Sequence, residues 1–147
     1  MTNEPTILRD TAFMQAFLDL VIPPSDDGKL PGAGSLGLSS DLADALEANS
    51  AVVSGLRAVQ EAAREQDPAG LSALPPAAQI ELVESQLGTH PALMAGITHQ
   101  LYLAYYQHPT VLQGLGQPPR PPFPEGYTVE ETDPRLIEVL RERSRSR

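Results

Sequence analysis

The chain has 147 residues, contains neither Cys nor Trp, and carries a formal net charge of −9. This length fits one domain that can bury a hydrophobic core, and the missing Cys excludes disulfides, thiolate metal sites and covalent haem attachment. The negative charge argues against nucleic acid or an anionic membrane as the partner, because both require a basic face.

Residues 1–9 are expected to form a flexible N-terminus. They contain no basic region followed by an apolar run and no paired arginines, so they do not resemble an export signal. No segment approaches the roughly 18 apolar residues that span a bilayer. We therefore expect a cytoplasmic protein without membrane insertion, which would be periplasmic only if a partner supplied the export signal.

Helical periodicity dominates the rest of the chain. Asp10 or Thr11 can cap a first helix, whose apolar side chains recur at helical spacing until Pro23 and Pro24 end it. Residues 25–38 then form a Gly- and Pro-rich loop of about 14 residues, which is long for a compact helical domain. Loops of this length are more often functional or partner-facing than arbitrary, and we expect the same of this one.

Two helices are predicted after this loop. Ser39-Ser40-Asp41 has the composition of a strong cap for a short helix over residues 42–48. Asn49 or Ser50 then begins a longer helix, which Asp67-Pro-Ala-Gly70 ends.

The next predicted helix follows Leu71-Ser-Ala-Leu-Pro-Pro76 and has proline in its first turn. We expect its apolar stripe to consist of Ile80, Val83 and Leu87, which recur at helical spacing. No segment shows a strand pattern of useful length.

Residues 85–119 form a run of 35 residues without Asp, Glu, Lys or Arg, although 20% of the protein is charged. A helix predicted over about 91–107 lies within this run and is apolar nearly all round. One stripe contains Leu93, Ile97, Leu101 and Ala104 or Tyr105, and further apolar bulk comes from Met94, Tyr102, Leu103 and Tyr106. Such a helix is either central in its own domain or lies between the domain and a partner. The tyrosines favour a part in an interface, because a hydroxyl-tipped ring suits a surface that is dry on one side and polar at its rim.

The C-terminal part begins with one or two helical turns over residues 109–115, which Gly116 can end. Five of the eleven residues 117–127 are proline, so this arm cannot be a strand or a helix and must lie on its own helices or on another protein. Asp133 can cap a last helix with an apolar side formed by Leu136, Ile137, Val139 and Leu140. The basic tail after this helix is expected to be a solvated end, with docking onto an acidic partner as the alternative.

These elements predict an all-α fold, a small bundle of about five to six helices with a long N-terminal-side loop and an extended proline-rich C-terminal arm. The predicted organisation is a flexible N-terminus over 1–9, a helical domain over 10–116, the arm over 117–132, and a helix with a basic tail over 133–147.

Residues suited to catalysis or metal binding are sparse. His90, His99 and His108 are nine residues apart, a spacing that turns a continuous helix by about 180° per step and separates neighbouring members. Asp26-Asp27-Gly28 lacks the alternating ligands and the closing Glu of a calcium loop, so a polar turn is expected there. We assign no catalytic, cofactor-binding or metal residue.

Two segments carry a resemblance to a known family. They are Phe17-Leu-Asp-Leu-Val-Ile-Pro-Pro-Ser-Asp-Asp-Gly-Lys-Leu-Pro-Gly-Ala33 and Tyr102-Leu-Ala-Tyr-Tyr-Gln-His-Pro109, the second followed by Leu115-Gly116. Together they resemble the small-subunit family of gluconate 2-dehydrogenase, its subunit 3. The resemblance implies a short helical protein that accompanies a large flavoprotein of the glucose-methanol-choline type and helps it fold, stay soluble or be exported.

The resemblance further implies that the chain makes no catalytic contribution, holds no cofactor itself, and pairs with a subunit that binds FAD. The family's haem resides on another subunit. Members commonly carry a twin-arginine export signal, which residues 1–9 do not show, and this difference favours a cytoplasmic sugar or glycoside oxidoreductase assembly.

Three hypotheses of function follow. The first is a non-catalytic accessory subunit that forms a hetero-oligomer with a flavin-dependent sugar dehydrogenase. The second, which is the main alternative, is a free-standing helical interaction module or homodimer. The third is an enzyme in its own right. Under the first hypothesis, the partner contacts are expected on the neutral helix and the proline-rich arm, at Tyr102, Tyr105, Tyr106, His108, Pro109, Arg120, Pro121, Pro122, Phe123, Pro124 and Tyr127.

Overall fold

The computed structural model describes residues 6–120 and 133–145, and all regular secondary structure in these ranges is helical. This confirms the predicted all-α class. The α-helices are α1 (Thr11–Val21), α2 (Ser39–Leu46), α3 (Ser50–Gln66), α4 (Pro76–Leu87), α5 (Ala92–Gln107), α6 (Pro109–Gly114) and α7 (Pro134–Arg145). Short 3-10 turns cover Ile7–Arg9, Ala33–Leu36 and Leu71–Ala73. In the described ranges no helix is both long enough and apolar enough to cross a bilayer.

Side-chain caps begin two of the longer helices. The Asp10 carboxylate accepts a hydrogen bond from the Phe13 N–H at 3.1 Å, and the Asn49 side-chain oxygen accepts one from the Val52 N–H at 3.3 Å. Both residues satisfy backbone donors that the first helical turn leaves without partners. The helix starts predicted at these two residues are confirmed.

The predicted cap of α2 is wrong. This helix already begins at Ser39, and Leu38 at its N-cap position makes no side-chain hydrogen bond to the first turn. The serines lie inside the helix because Leu38, which is buried, fixes the entry of the chain from the core side.

Replacing Asp10 by Ala should lower the free energy of unfolding by about 1–2 kcal/mol, because the first turn of α1 loses its acceptor. The carboxylate also accepts a hydrogen bond from Gln60 Nε2 at 3.4 Å, which ties α1 to α3. Urea denaturation measures the loss. Asp26→Ala, which removes an exposed carboxylate outside any cap, should change stability by less than about 0.5 kcal/mol, and equal losses in both variants would contradict the capping role.

The core lies where α5 meets α2 and α3. Leu93, Ile97, Leu101 and Tyr105 form the buried side of α5, which confirms the apolar stripe predicted for this helix. They pack with buried side chains of the first three helices, among them Phe13, Phe17, Leu42, Val52 and Leu56.

The apolar stripe predicted for α4 is partly wrong. Leu82 and Val83 are buried, whereas Ile80 is 49% exposed. The reason is Gln79, whose Nε2 donates hydrogen bonds to the carbonyls of Leu71 and Leu74 at 2.9 and 3.0 Å. These two hydrogen bonds hold the Gln79 side of α4 against the preceding 3-10 turn, and Ile80 therefore faces outward.

The second half of loop 25–38 packs into the fold. The Ala33 N–H donates to the Ile22 carbonyl at 3.0 Å, the Gly34 N–H donates to Asp19 Oδ1 at 2.8 Å, and both Ala33 and Gly34 are buried. The expectation of a partner-facing loop is therefore wrong for this half. The first half is the expected polar turn, in which Asp27 accepts hydrogen bonds from the Ser25 hydroxyl at 2.7 Å and the Lys29 N–H at 3.1 Å.

The C-terminal helix begins at Pro134, directly after its predicted cap Asp133. The Asp133 carboxylate accepts a hydrogen bond from the Arg135 N–H at 2.9 Å, in agreement with its expected place before the helix. Of the arm predicted over residues 117–132, only 117–120 belong to the described part, and these four residues are exposed.

Candidate interaction surface

The outer side of α5 carries an exposed apolar surface, which we call the tyrosine patch. It consists of Tyr102, Leu103 and Tyr106, which are 47%, 45% and 50% exposed. His99 and Gln107 border a shallow hollow on this patch. None of these five side chains is an Asp, Glu, Lys or Arg, so the surface offers apolar area and hydroxyl groups rather than charge.

The rings of the tyrosine patch are held by neighbouring rings. Tyr106 lies edge-on to Tyr105, with centroids 5.1 Å apart and planes at 90°, and it also meets Tyr102 at 6.0 Å and 69°. Tyr105 is itself fixed, because its hydroxyl donates a hydrogen bond to the Pro31 carbonyl at 2.8 Å. A ring packed in this way loses little conformational entropy when a partner covers it.

A groove between α2 and α5 adjoins the patch and encloses about 500 Å³. We call it the α2–α5 groove. Leu103 and Gln107 line both this groove and the hollow on the patch, so the two form one continuous surface. The groove is lined by Leu38, Asp41, Leu42, Ala45, Gln100, Leu103, Ala104, Gln107, His108 and Pro109. Asp41 is the only carboxylate or basic Lys or Arg among them, so charge is confined to the α2 side.

Tyr105 does not belong to the surface on which it was expected. It is 1% exposed, and burial raises the pKa of its hydroxyl, with a smaller electrostatic contribution from the neighbouring Tyr106. The side chain closes the core between α5 and loop 25–38. We therefore remove Tyr105 from the candidate contacts, while Tyr102 and Tyr106 remain in them.

Three other expected contact residues have defined places. His108 caps α6, since its Nδ1 accepts a hydrogen bond from the Thr110 N–H at 3.3 Å, and Pro109 is the first residue of that helix. Both line the α2–α5 groove. Arg120 is exposed and does not belong to a helix. The remaining expected contacts, Pro121, Pro122, Phe123, Pro124 and Tyr127, lie outside the described residues.

The α2 wall of the groove was missed by sequence reasoning. Leu38, Asp41 and Ala45 stand about sixty residues before the α5 residues that they face, and no local pattern connects the two helices. Leu103 was recognised as apolar bulk, but its place at the junction of groove and patch depends on the packing of α2 against α5. Only the tertiary structure brings these side chains together.

The two segments that carry the family resemblance contact each other. The Tyr105–Pro31 hydrogen bond joins residues 74 positions apart in the sequence. Just after the second segment, a Cβ added to Gly114 would overlap the Lys29 carbonyl, so α6 also approaches the first segment closely. Residues of these two segments thus form an internal contact behind the tyrosine patch.

Within residues 6–120 and 133–145, no three His, Cys, Asp or Glu side chains converge as a possible metal site. His99 lies at the patch, His108 caps α6, and the His90 N–H donates to the Gln86 carbonyl at 2.9 Å just before α5. The three histidines are therefore spread along α5 and its ends, as their spacing indicates.

Fold and surface together define a small all-α protein with an uncharged, preorganised tyrosine patch beside an open groove. No protein-family model, no curated protein and no solved structure matches the chain. The function proposed below is therefore supported by this surface and by the resemblance of the two segments.

Proposed function

We propose that this chain is a non-catalytic accessory subunit that binds and stabilises the large subunit of a flavin-dependent sugar or glycoside dehydrogenase. The observation that carries the binding role is the exposed tyrosine patch on α5. The class of partner is supported by the resemblance of segments 17–33 and 102–109 to the gluconate 2-dehydrogenase small-subunit family. In such an assembly FAD belongs to the large subunit.

The tyrosine patch has the properties of a contact surface. Contiguous exposed apolar groups on a soluble protein mark interaction sites more often than isolated ones do. Tyrosine is enriched among the residues that contribute most to binding, because it combines a large apolar ring with a hydroxyl that can stay hydrated or find a partner. Tyr102 and Tyr106 meet both conditions, and their edge-on packing holds them in place before binding.

The charge around the patch indicates what the partner surface should look like. The centre is neutral, so a partner that covers it should present apolar groups with few charges.

Co-expression with a candidate flavoprotein large subunit tests the proposal. We expect a yellow complex with one copy of each chain and a large subunit that is less soluble or less loaded with flavin when expressed alone. A large subunit that is soluble, loaded with flavin and fully active without this chain would refute the accessory role. A stable homo-oligomer in sedimentation, with the tyrosine patch buried and no affinity for the flavoprotein, would favour the free-standing interaction module instead.

Replacing Tyr102 or Tyr106 by Ala should weaken assembly by about 2 kcal/mol or more, which is about 30-fold in Kd. The isolated variant should keep its melting temperature, because both rings are about half exposed and contribute little to the core. Titration of the purified large subunit measures the affinity.

Ile80→Ala is the matched control for this experiment. Ile80 is 49% exposed, like the tyrosines, but it lies on α4 rather than on the patch. Its replacement should leave the affinity unchanged. Equal losses for Ile80→Ala and Tyr106→Ala would show that the effect is general and not a property of the tyrosine patch.

A further inference from the structure

The chain carries two complementary features that its described contacts leave unpaired: the apolar side of α7 and the α2–α5 groove. We propose that α7 docks lengthwise into the α2–α5 groove of its own chain. Its apolar side would cover Ala45, Leu103 and Ala104, and its arginines would lie toward Asp41 on α2. This inference does not depend on the proposed function, because α7 would leave Tyr102 and Tyr106, which lie outside the groove, open to a partner.

The apolar side of α7 is exposed to solvent. Leu136, Ile137 and Val139 are 58%, 40% and 46% exposed, although they occupy one side of a 12-residue helix. Leu136 and Val139 are three positions apart and therefore neighbours on the helix surface, whereas Glu138 points away from them. An apolar stripe with a charged opposite face is typical of a helix that lies in a groove of another surface.

The charges of α7 and of the groove are complementary. Residues 134–145 contain four Arg and two Glu, so α7 is basic in a chain with a net charge of −9. Asp41 is the one carboxylate that lines the groove, and no basic side chain of the described residues pairs with it, whereas Asp44 and Glu47 lie outside the groove and pair with Arg9. Asp41 lines the groove, so a basic helix in the groove would meet this carboxylate.

The segment that joins α6 to α7 is long enough for α7 to reach the groove. Twelve residues, 121–132, join Arg120 to Asp133, and a chain of that length can bridge at most about 40 Å. The whole of α5 spans only about 24 Å, and one end of the groove is Pro109 at the start of α6. The tether therefore allows docking, and it raises the local concentration of α7 to the order of millimolar, well above that of a second copy in dilute solution.

A disulfide between engineered cysteines tests the docking directly, because the natural chain has no Cys. Ala45→Cys places a thiol on the α2 wall, and Val139→Cys places one on the apolar side of α7. We expect this pair to form a disulfide within one chain under mild oxidation at low micromolar concentration. The product should remain monomeric on a non-reducing gel, since the two cysteines share one polypeptide.

The pair Ala45→Cys with Glu138→Cys is the matched control. Its α7 cysteine is one residue nearer along the same tether, but it lies about 100° away around the helix and outside the apolar side. We expect it to form the intrachain disulfide at least about tenfold more slowly, because a disulfide needs Cβ atoms about 4 Å apart. Equal rates in the two pairs would overturn the proposal, and disulfide-linked dimers as the first product would overturn it in favour of docking onto a second copy.

A second measurement uses the natural residues. Leu136→Asp together with Val139→Asp should destroy the apolar side of α7 without touching the core, so circular dichroism should show an unchanged helical domain. Hydrogen exchange of α2 should become faster, and binding of an apolar fluorescent dye to the groove should increase. If α2 exchanges at the same rate in the variant and the natural chain, α7 does not cover the groove and the proposal is wrong.

Discussion

Gly34→Ala is expected to lower the free energy of unfolding by about 3 kcal/mol or more. Gly34 lies in the 3-10 turn that packs on α1, and a Cβ there would overlap the Gln15 carbonyl and crowd the Asp19 carboxylate. A backbone oxygen cannot rotate aside, so the turn would have to move away from α1. That movement would break the hydrogen bond from the Gly34 N–H to Asp19 Oδ1 at 2.8 Å.

Chemical denaturation measures this loss, and Gly88→Ala serves as its control. A Cβ at Gly88 would lie 3.7 Å from the Ser85 carbonyl, an ordinary contact, and the backbone there has φ −62°. An alanine can adopt this conformation, so Gly88→Ala should leave stability unchanged or raise it by up to about 1 kcal/mol. A small effect at Gly34 would contradict the close packing of the loop on α1.

Tyr105→Ala is expected to lower the free energy of unfolding by about 3–5 kcal/mol, the usual loss for a large aromatic core residue. The same change at its sequence neighbour Tyr106 should cost less than about 1 kcal/mol, because that ring is half exposed. Tyr105→Phe isolates the hydroxyl: it removes the hydrogen bond to the Pro31 carbonyl at 2.8 Å and should cost about 1–2 kcal/mol. Equal losses in Tyr105→Ala and Tyr106→Ala would contradict the assignment of one ring to the core and the other to the surface.

Tyr105 also makes the free energy of unfolding depend on pH in the alkaline range. Burial raises the pKa of Tyr105 in the folded state above the unfolded value of about 10. Above pH 10 the unfolded chain releases this proton more readily than the folded chain, so the unfolded state binds fewer protons and stability falls with pH. The contribution of Tyr105 is therefore fully present below pH of about 10 and is lost as the pH rises through the folded pKa. The Tyr105→Phe variant has no such proton. The difference in free energy of unfolding between this variant and the natural chain should therefore become smaller as the pH rises above about 10.

Local features of the chain were readable from the sequence. Asp10 and Asn49 cap α1 and α3 as expected, because a cap depends only on a side-chain oxygen and the N–H groups of the next turn. That Leu93, Ile97, Leu101 and Tyr105 share one side of α5 also follows from spacing, since residues at every fourth position lie on one side of a helix.

Other features depended on contacts that neither helical periodicity nor capping patterns show. Ile80 fits the apolar period of α4, yet it faces outward because Gln79 binds the carbonyls of the preceding turn. Ser39 has the composition of a cap, yet α2 begins at that residue because the buried Leu38 sets where the helix enters the core. In both cases a specific contact outweighs a local preference of about 1 kcal/mol.

By itself the sequence determined that this protein is helical, where most of its helices begin and end, and that its central helix is uncharged and apolar on more than one side. These properties follow from capping, proline positions and periodicity, which act over a few residues. Only the tertiary structure decided which side of α5 is core and which is surface. Tyr105 and Tyr106 are adjacent and chemically identical, but successive residues of a helix point about 100° apart. The first side chain therefore points toward Pro31 and the second toward solvent. That division depends on the packing of loop 25–38 against α1 and α5, a contact between segments that no local pattern connects.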